Sequence, residues 1–172
     1  MSTPPPLTIV TGAIDAGKTR HAQRICASGS SAGFASPKVF ESGELAGYDL
    51  EALPSAQRMP LARLGNASPG TDWFRFRRFF FNPAAFEWAR AEAHRLLGAA
   101  RPASTRLVLD EVGPLEAEGR GFHPVLELFL DSPFEVVVTT RASLVAWLCS
   151  RAAGRPVRVE EPGGGPVPYD TT

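Results

Sequence analysis

Eight consecutive residues constrain this chain more than any other stretch: Gly12-Ala13-Ile14-Asp15-Ala16-Gly17-Lys18-Thr19. Their spacing is Gly, four residues, then Gly-Lys-Thr. A short β-branched apolar run, Leu7 to Thr11, leads in, and a helical pattern from Lys18 to Ala27 leads out. A strand, a glycine loop and a helix in that order make a phosphate cradle. Glycines let the backbone curl so that successive N–H groups point inward, and the helix that follows offers its positive end. Lys18 supplies a compact, mobile ammonium to the outer phosphates, and the Thr19 hydroxyl is a hard ligand for Mg²⁺. Residues 12–20, with Arg20 closing the set, are therefore the expected nucleotide-binding segment.

A second element carries complementary chemistry. Arg106 to Val112 reads RLVLDEV, a strand with a buried apolar run and two acids at its C-terminal end. In open α/β sheets ligands sit at that end. Asp110 is the expected partner of the metal beside Thr19. Glu111 is expected to orient or deprotonate an attacking water, which makes it, with Lys18, the catalytic pair.

The remaining chain alternates strands and helices. Expected strands are Phe134 to Thr140 and an edge strand at Pro156 to Glu160, and Trp73 to Phe81 reads as one strand. A hairpin is expected over Phe34 to Leu53, turning at Ser42-Gly43. Gln57 to Gly70 reads as irregular apart from one short strand near Met59 to Leu64. Asn82-Pro83 is a good cap and first position for a helix over 83–97, stopped by Gly98. Further helices are expected over Pro124 to Leu130 and Ser143 to Ala153. The Ser/Gly cluster SGSSAG reads as a helix terminator, GPLEAEGRG as loop, and the tail PGGGPVPYDTT as loop. Strands apolar on both faces, interleaved with helices, predict an α/β fold with a mostly parallel sheet. No linker divides the 172 residues, so one domain over 1–172 is expected.

Charge narrows the partners. Eighteen basic residues face eighteen acidic ones, so no bulk attraction to nucleic acid or an anionic membrane is built in. The basic set is lopsided: sixteen arginines and two lysines, Lys18 and Lys38. A guanidinium is too bulky to fold over a phosphate loop, which explains Lys18; nothing in the sequence explains Lys38. Arg75, Arg77 and Arg78 alternate with Phe74, Phe76 and Phe79, a pattern that fits single-stranded RNA stacking or an ordinary amphipathic strand. With balanced charge, nucleic acid is disfavoured. Cys26 and Cys149 form no metal-type spacing and read as buried thiols of a reducing compartment. No basic leader or apolar span is legible. A soluble, cytoplasmic chain is the expectation, with no protein partner assigned.

Taken in order, TGxxxxGKT, the GFxxxxVxExGExxGYDL-like hairpin, the aromatic-Asn-Pro helix start, and LDEVGPLE with GxGF resemble one family. It is the small P-loop nucleoside-triphosphatase family, which includes thermophile enzymes and the animal cancer-related nucleoside-triphosphatase. The resemblance runs from about Leu7 to Val159. It implies a three-layer α/β/α RecA-like sandwich and slow, Mg²⁺-dependent hydrolysis of ATP, GTP, CTP and UTP. Residue by residue, Lys18 and Thr19 match the phosphate-loop pair, Asp110 and Glu111 the DE pair, and Glu116 the acid closing DExGxxE. Glu116 then acts behind the acids or holds the loop. Arg20 departs from the family's second Thr, and Asp15 is unusual inside the loop, either facing phosphate or turned outward. Arg141, after a strand at the ligand edge, is expected to stack on a base or reach a phosphate, against the alternative of a solvated helix start. Arg120 is a further candidate charge stabiliser. Two other functions stay open: a small-molecule or nucleotide kinase, and a nucleotide-gated binding module.

Overall fold

The computed structural model describes residues 3–164, so the tail from 165 onward lies outside the described residues. The strands are β1 (Leu7–Val10), β2 (Ser31–Ala35), β3 (Lys38–Glu41), β4 (Glu44–Leu53), β5 (Arg58–Leu64), β6 (Phe74–Phe76), β7 (Phe79–Phe81), β8 (Arg106–Val112), β9 (Glu135–Thr140) and β10 (Val157–Glu160). The helices are α1 (Lys18–Cys26), α2 (Pro83–Gly98), α3 (Pro114–Ala117), α4 (His123–Leu130) and α5 (Val145–Ser150). All strands join one sheet in the order β10-β1-β9-β8-β2-β4-β5-β7-β6, with β3 added on β4.

The chain is α/β, but its sheet is mixed rather than mostly parallel. β10, β1, β9, β8 and β2 run parallel. Beyond β2 every pairing is antiparallel. The reason is connection length: β3–β4, β4–β5 and β6–β7 are joined by short turns, which permit only hairpins, whereas parallel neighbours need long crossovers.

Strand alternation sorts the parallel half into two apolar faces. Leu7, Ile9, Leu107, Leu109, Val136 and Val138 share one core cluster with residues of α2, α4 and α5. Val10, Val108 and Val137 form another with Ala22 and Cys26 of α1. The buried stripe of α2 is Ala85, Ala89, Ala93 and Leu96, and its three alanines let the helix lie close to the sheet. Asn82 caps that helix by accepting from the Ala84 amide at 3.1 Å, and Pro83 opens it. No disulfide joins Cys26, which is buried, to Cys149, which is half-buried rather than fully so.

Four local expectations are corrected. The SGSSAG cluster does not merely stop α1; its second half enters β2, because only a residue without a Cβ fits against the neighbouring strand. At Gly33, φ +128°, a Cβ would lie 2.1 Å from the Val108 carbonyl oxygen. The segment 73–81 is a hairpin, not one strand, and turns at Arg77-Arg78, with Arg77 at φ +54°. Within GPLEAEGRG the structure forms α3, closed by the Glu116 side chain reaching back to the Gly113 amide. The expected helix over 143–153 is shorter: a 3₁₀ turn at Ala142–Leu144 precedes α5. Among the described residues, no helix is long and apolar enough to cross a membrane.

Candidate nucleotide site

The loop between β1 and α1 is anchored at its start, where the Thr11 amide donates to the Glu160 carbonyl at 2.9 Å on β10. Gly12 takes φ +152° and Gly17, at the N-terminus of α1, φ +83°. Both are conformations that side chains with a Cβ rarely adopt. Lys18 folds back over this loop, donating to the Ala13 carbonyl at 2.8 Å and the Gly12 carbonyl at 3.3 Å. The Ala16 amide closes a tight turn onto Ala13 at 3.2 Å. Ile14 stands 73% exposed at the tip. Arg20 points into solvent and is not among the residues lining the adjoining cleft.

The acids of β8 meet the loop directly. Thr19 Oγ1 donates to both carboxylate oxygens of Asp110 at 3.0 Å, across 91 positions of sequence. Asp110 is 2% exposed. It also accepts from the Ser36 amide at 3.1 Å and from the Thr139 hydroxyl. Burial pushes its carboxyl above the usual range, and these three donors oppose that shift. Thr139 and Ser36 escape sequence reading, although the signal exists. β2 and β9 flank β8 in parallel, so residues just past Phe34 and Val138 must arrive beside Asp110.

Adjacent strand residues ordinarily face opposite ways, so Asp110 and Glu111 could not serve one site from a regular strand. Between Leu109 and Val112 the β8–β9 register slips. Glu111 there takes φ +61°, and its amide donates to Thr139 Oγ1 at 2.8 Å. Such bulges re-aim side chains beside active sites. Glu111 thereby lines the cleft. Burial against the cleft walls and then the Asp110 carboxylate raise its pKa above the usual range, while Lys18, Arg141 and Lys38 oppose that rise.

The cleft measures about 490 Å³, in the range of small-ligand sites. Ile14, Asp15 and Lys18 of the loop form one wall; Tyr48, Phe76 and Phe79 form part of another. Arg141 lines it at the end of β9. Arg120 does not; its guanidinium sits 4.7 Å from the Phe74 ring centroid and 5.8 Å from that of Phe76. Glu116 is 3% exposed and clamps its own loop, accepting from the Gly113 amide at 2.8 Å and the Phe122 amide at 3.0 Å. Burial pushes its carboxyl up to about 7. Asp15, at φ +63° within the loop, turns its carboxylate to an ion pair with Lys38 of β3. Two histidines contact neighbours around the site, His21 with Glu160 of β10 at 2.9 Å and His123 with the Glu116 carbonyl at 2.9 Å.

A hydroxyl and a carboxylate in contact, both hard oxygen donors, fit Mg²⁺, which keeps most of its shell for water and phosphate. No cluster of three or more His, Cys, Asp or Glu side chains competes for a metal among the described residues.

Comparison with known proteins follows the same line. The family model described as NTPase matches residues 8–161. A cancer-related nucleoside-triphosphatase homolog of Bos taurus is 32% identical over 110 residues, 63% of this chain; the match spans only 57% of the bovine protein's length. The solution structure of a human cancer-related nucleoside triphosphatase aligns at TM-score 0.64 and 23% identity, covering 93% of this chain and 88% of that one. The crystal structure of THEP1 from the hyperthermophile Aquifex aeolicus aligns at TM-score 0.66 and 16% identity, covering 91% and 89%. At those identities the two structures speak to the fold alone. The family model spans nearly every described residue, from β1 to just past β10, and on that match the chain belongs to the NTPase family.

Proposed function

We propose that this chain is a Mg²⁺-dependent nucleoside-triphosphate phosphohydrolase, a single-domain three-layer RecA-like sandwich working in the cytoplasm on ATP, GTP, CTP and UTP. One observation carries the reading: Thr19 of the loop touches Asp110 of β8 at 3.0 Å, so a phosphate cradle and a strand-end acid share one site. The names of the bovine relative and the human structure, both nucleoside-triphosphatases, support the reaction class. The breadth of bases rests on the family resemblance.

In this reading the loop amides of residues 12–19 hold the phosphate oxygens, and Lys18 leaves its carbonyl partners to neutralise charge on the β- and γ-phosphates. Thr19 and Asp110 hold Mg²⁺, which when bound offsets phosphate charge and orients the tail. Glu111, re-aimed by the bulge, accepts hydrogen bonds from the water that attacks the γ-phosphorus in line and takes its proton. Arg141, which lines the same cleft as Glu111 and lowers its pKa, stabilises developing charge on the γ-phosphate. Glu116 keeps the segment after β8 closed on the cleft.

Phosphate release from ATP, GTP, CTP and UTP, with Mg²⁺ or with excess chelator, tests this. Release from all four is expected, abolished by chelation and reduced about 100-fold or more in Lys18→Ala. A Lys18→Ala protein that hydrolyses at the parent rate would contradict it.

A further inference from the structure

The cleft contains a cation that the mechanism above does not use. Lys38 lies on β3, two positions after Ser36, whose amide is bonded to Asp110 at 3.1 Å. It lines the cleft together with Lys18 and Glu111. Its ammonium is paired with Asp15, the acid inside the phosphate loop. The two lysines of a chain with sixteen arginines therefore stand at one site. A lysine head is a compact point charge that moves between partners, whereas a guanidinium is held by its planar fork.

Asp15 makes the arrangement consequential. Its carboxylate holds the Lys38 ammonium beside the loop amides that are to receive a polyanion. When a triphosphate enters, a γ-phosphate carrying more charge than a carboxylate arrives beside the ammonium. Which phosphate Lys38 meets follows from position. Water attacks opposite the leaving diphosphate, so the γ-phosphate is the one that faces Glu111. Lys38 lines the cleft together with Glu111, and so stands at the γ end.

We propose that Lys38 is a γ-phosphate-binding residue that makes the site prefer triphosphates to diphosphates, and that Asp15 holds it in waiting while the loop is empty. Binding then exchanges one partner of Lys38 for another, Asp15 for the γ-phosphate, and frees the Asp15 carboxylate to turn to solvent. Asp15 consequently weakens triphosphate affinity, because its pair with Lys38 must break first. This proposal rests on the nucleotide reading of the site. The ordinary alternative is a solvated surface pair, in keeping with side chains that are 67% exposed for Asp15 and 36% for Lys38. Such a pair contributes little and touches no substrate.

The test is equilibrium binding of the full chain with Mg²⁺ and two probes, ADP and the non-hydrolysable β,γ-methylene analogue of ATP. The proteins are the parent, Lys38→Ala, Asp15→Ala and the double variant. Lys38→Ala is expected to weaken the triphosphate analogue about tenfold or more while leaving ADP within about threefold. Asp15→Ala is expected to tighten the analogue, and to tighten it less in the Lys38→Ala background, since the competition for the ammonium is gone. Equal loss for both probes, or no change for either, overturns the assignment while leaving the nucleotide reading intact. A parent that binds neither probe overturns both. Circular dichroism of each variant keeps a folding defect from passing as a binding one, and neither side chain belongs to the buried core.

Discussion

Asp110 and Glu116 show how differently two buried carboxylates are used. Asp110 accepts from two hydroxyls and one amide at the loop, so its buried charge has partners where the proposed Mg²⁺ would sit. Glu116 accepts only backbone amides, and burial holds its carboxyl at about 7. A raised pKa has a definite sign in stability. Below about 4.3, the usual Glu value, folded and unfolded chains are both protonated. Between there and about 7 the folded chain keeps a proton the unfolded chain has lost, so stability falls as pH rises, and above that window it levels off. In Glu116→Gln this descent disappears. Urea unfolding at pH 5 and pH 8 should show the parent losing on the order of 3 kcal/mol more than the variant. Identical pH profiles for the two would mean that Glu116 is charged in the fold throughout. The sequence announces Asp110 and Glu111 by their place at the end of an apolar strand. It announces nothing of the Lys38 pair with Asp15, because the two lie 23 positions apart and on elements whose meeting depends on β2.

Element β2 is where local patterning misleads most. Ser, Ala and Gly are weak strand formers, and the cluster after α1 reads as a break. Tertiary context reverses this, since β2 lies between β8 and β4 with Ala32, Phe34 and Ala35 buried. The glycine is the residue such close packing requires: a Cβ at Gly33 would meet the Val108 carbonyl oxygen at 2.1 Å. Gly33→Ala should therefore cost roughly 3 kcal/mol from overpacking and backbone strain, read as a lower urea midpoint. A shift below about 0.5 kcal/mol would show that β2 yields easily. The same strand delivers Ser36 to Asp110, so its displacement should also be felt at the site. The hairpin of β6 and β7 is hidden for another reason. Period-two alternation runs only from Trp73 to Arg77, and the chain turns where it breaks, at Arg77-Arg78 with Arg77 at positive φ. By contrast α2 was plain, because cap, first-turn proline and stop signal coincide at Asn82, Pro83 and Gly98.

Across the whole molecule the sheet has two characters that meet at β2. The parallel half, β10 to β2, brings the strand ends of the proposed phosphate site to one edge: the loop after β1, the acids of β8, Thr139 of β9, Arg141 just after it, and Ser36 after β2. This half was legible, since buried apolar strands alternating with helices have few other ways to fold. The antiparallel half supplies the outer walls of the cleft, among them Tyr48, Leu61, Phe76 and Phe79. It was the less legible half, because strand pairing there depends on short turns and registers that composition does not specify. The two halves together leave Glu111 in the cleft and Asp110 buried beneath it, separated by one bulge. The proposed function divides labour between them, one acid for the metal and one for the water. Glu111→Gln isolates the second role, because the amide keeps shape and hydrogen bonding but cannot take a proton. Measured side by side, MgATP affinity should stay within about threefold of the parent while turnover falls about 10²- to 10⁴-fold. Turnover that survives the substitution unchanged would contradict the account.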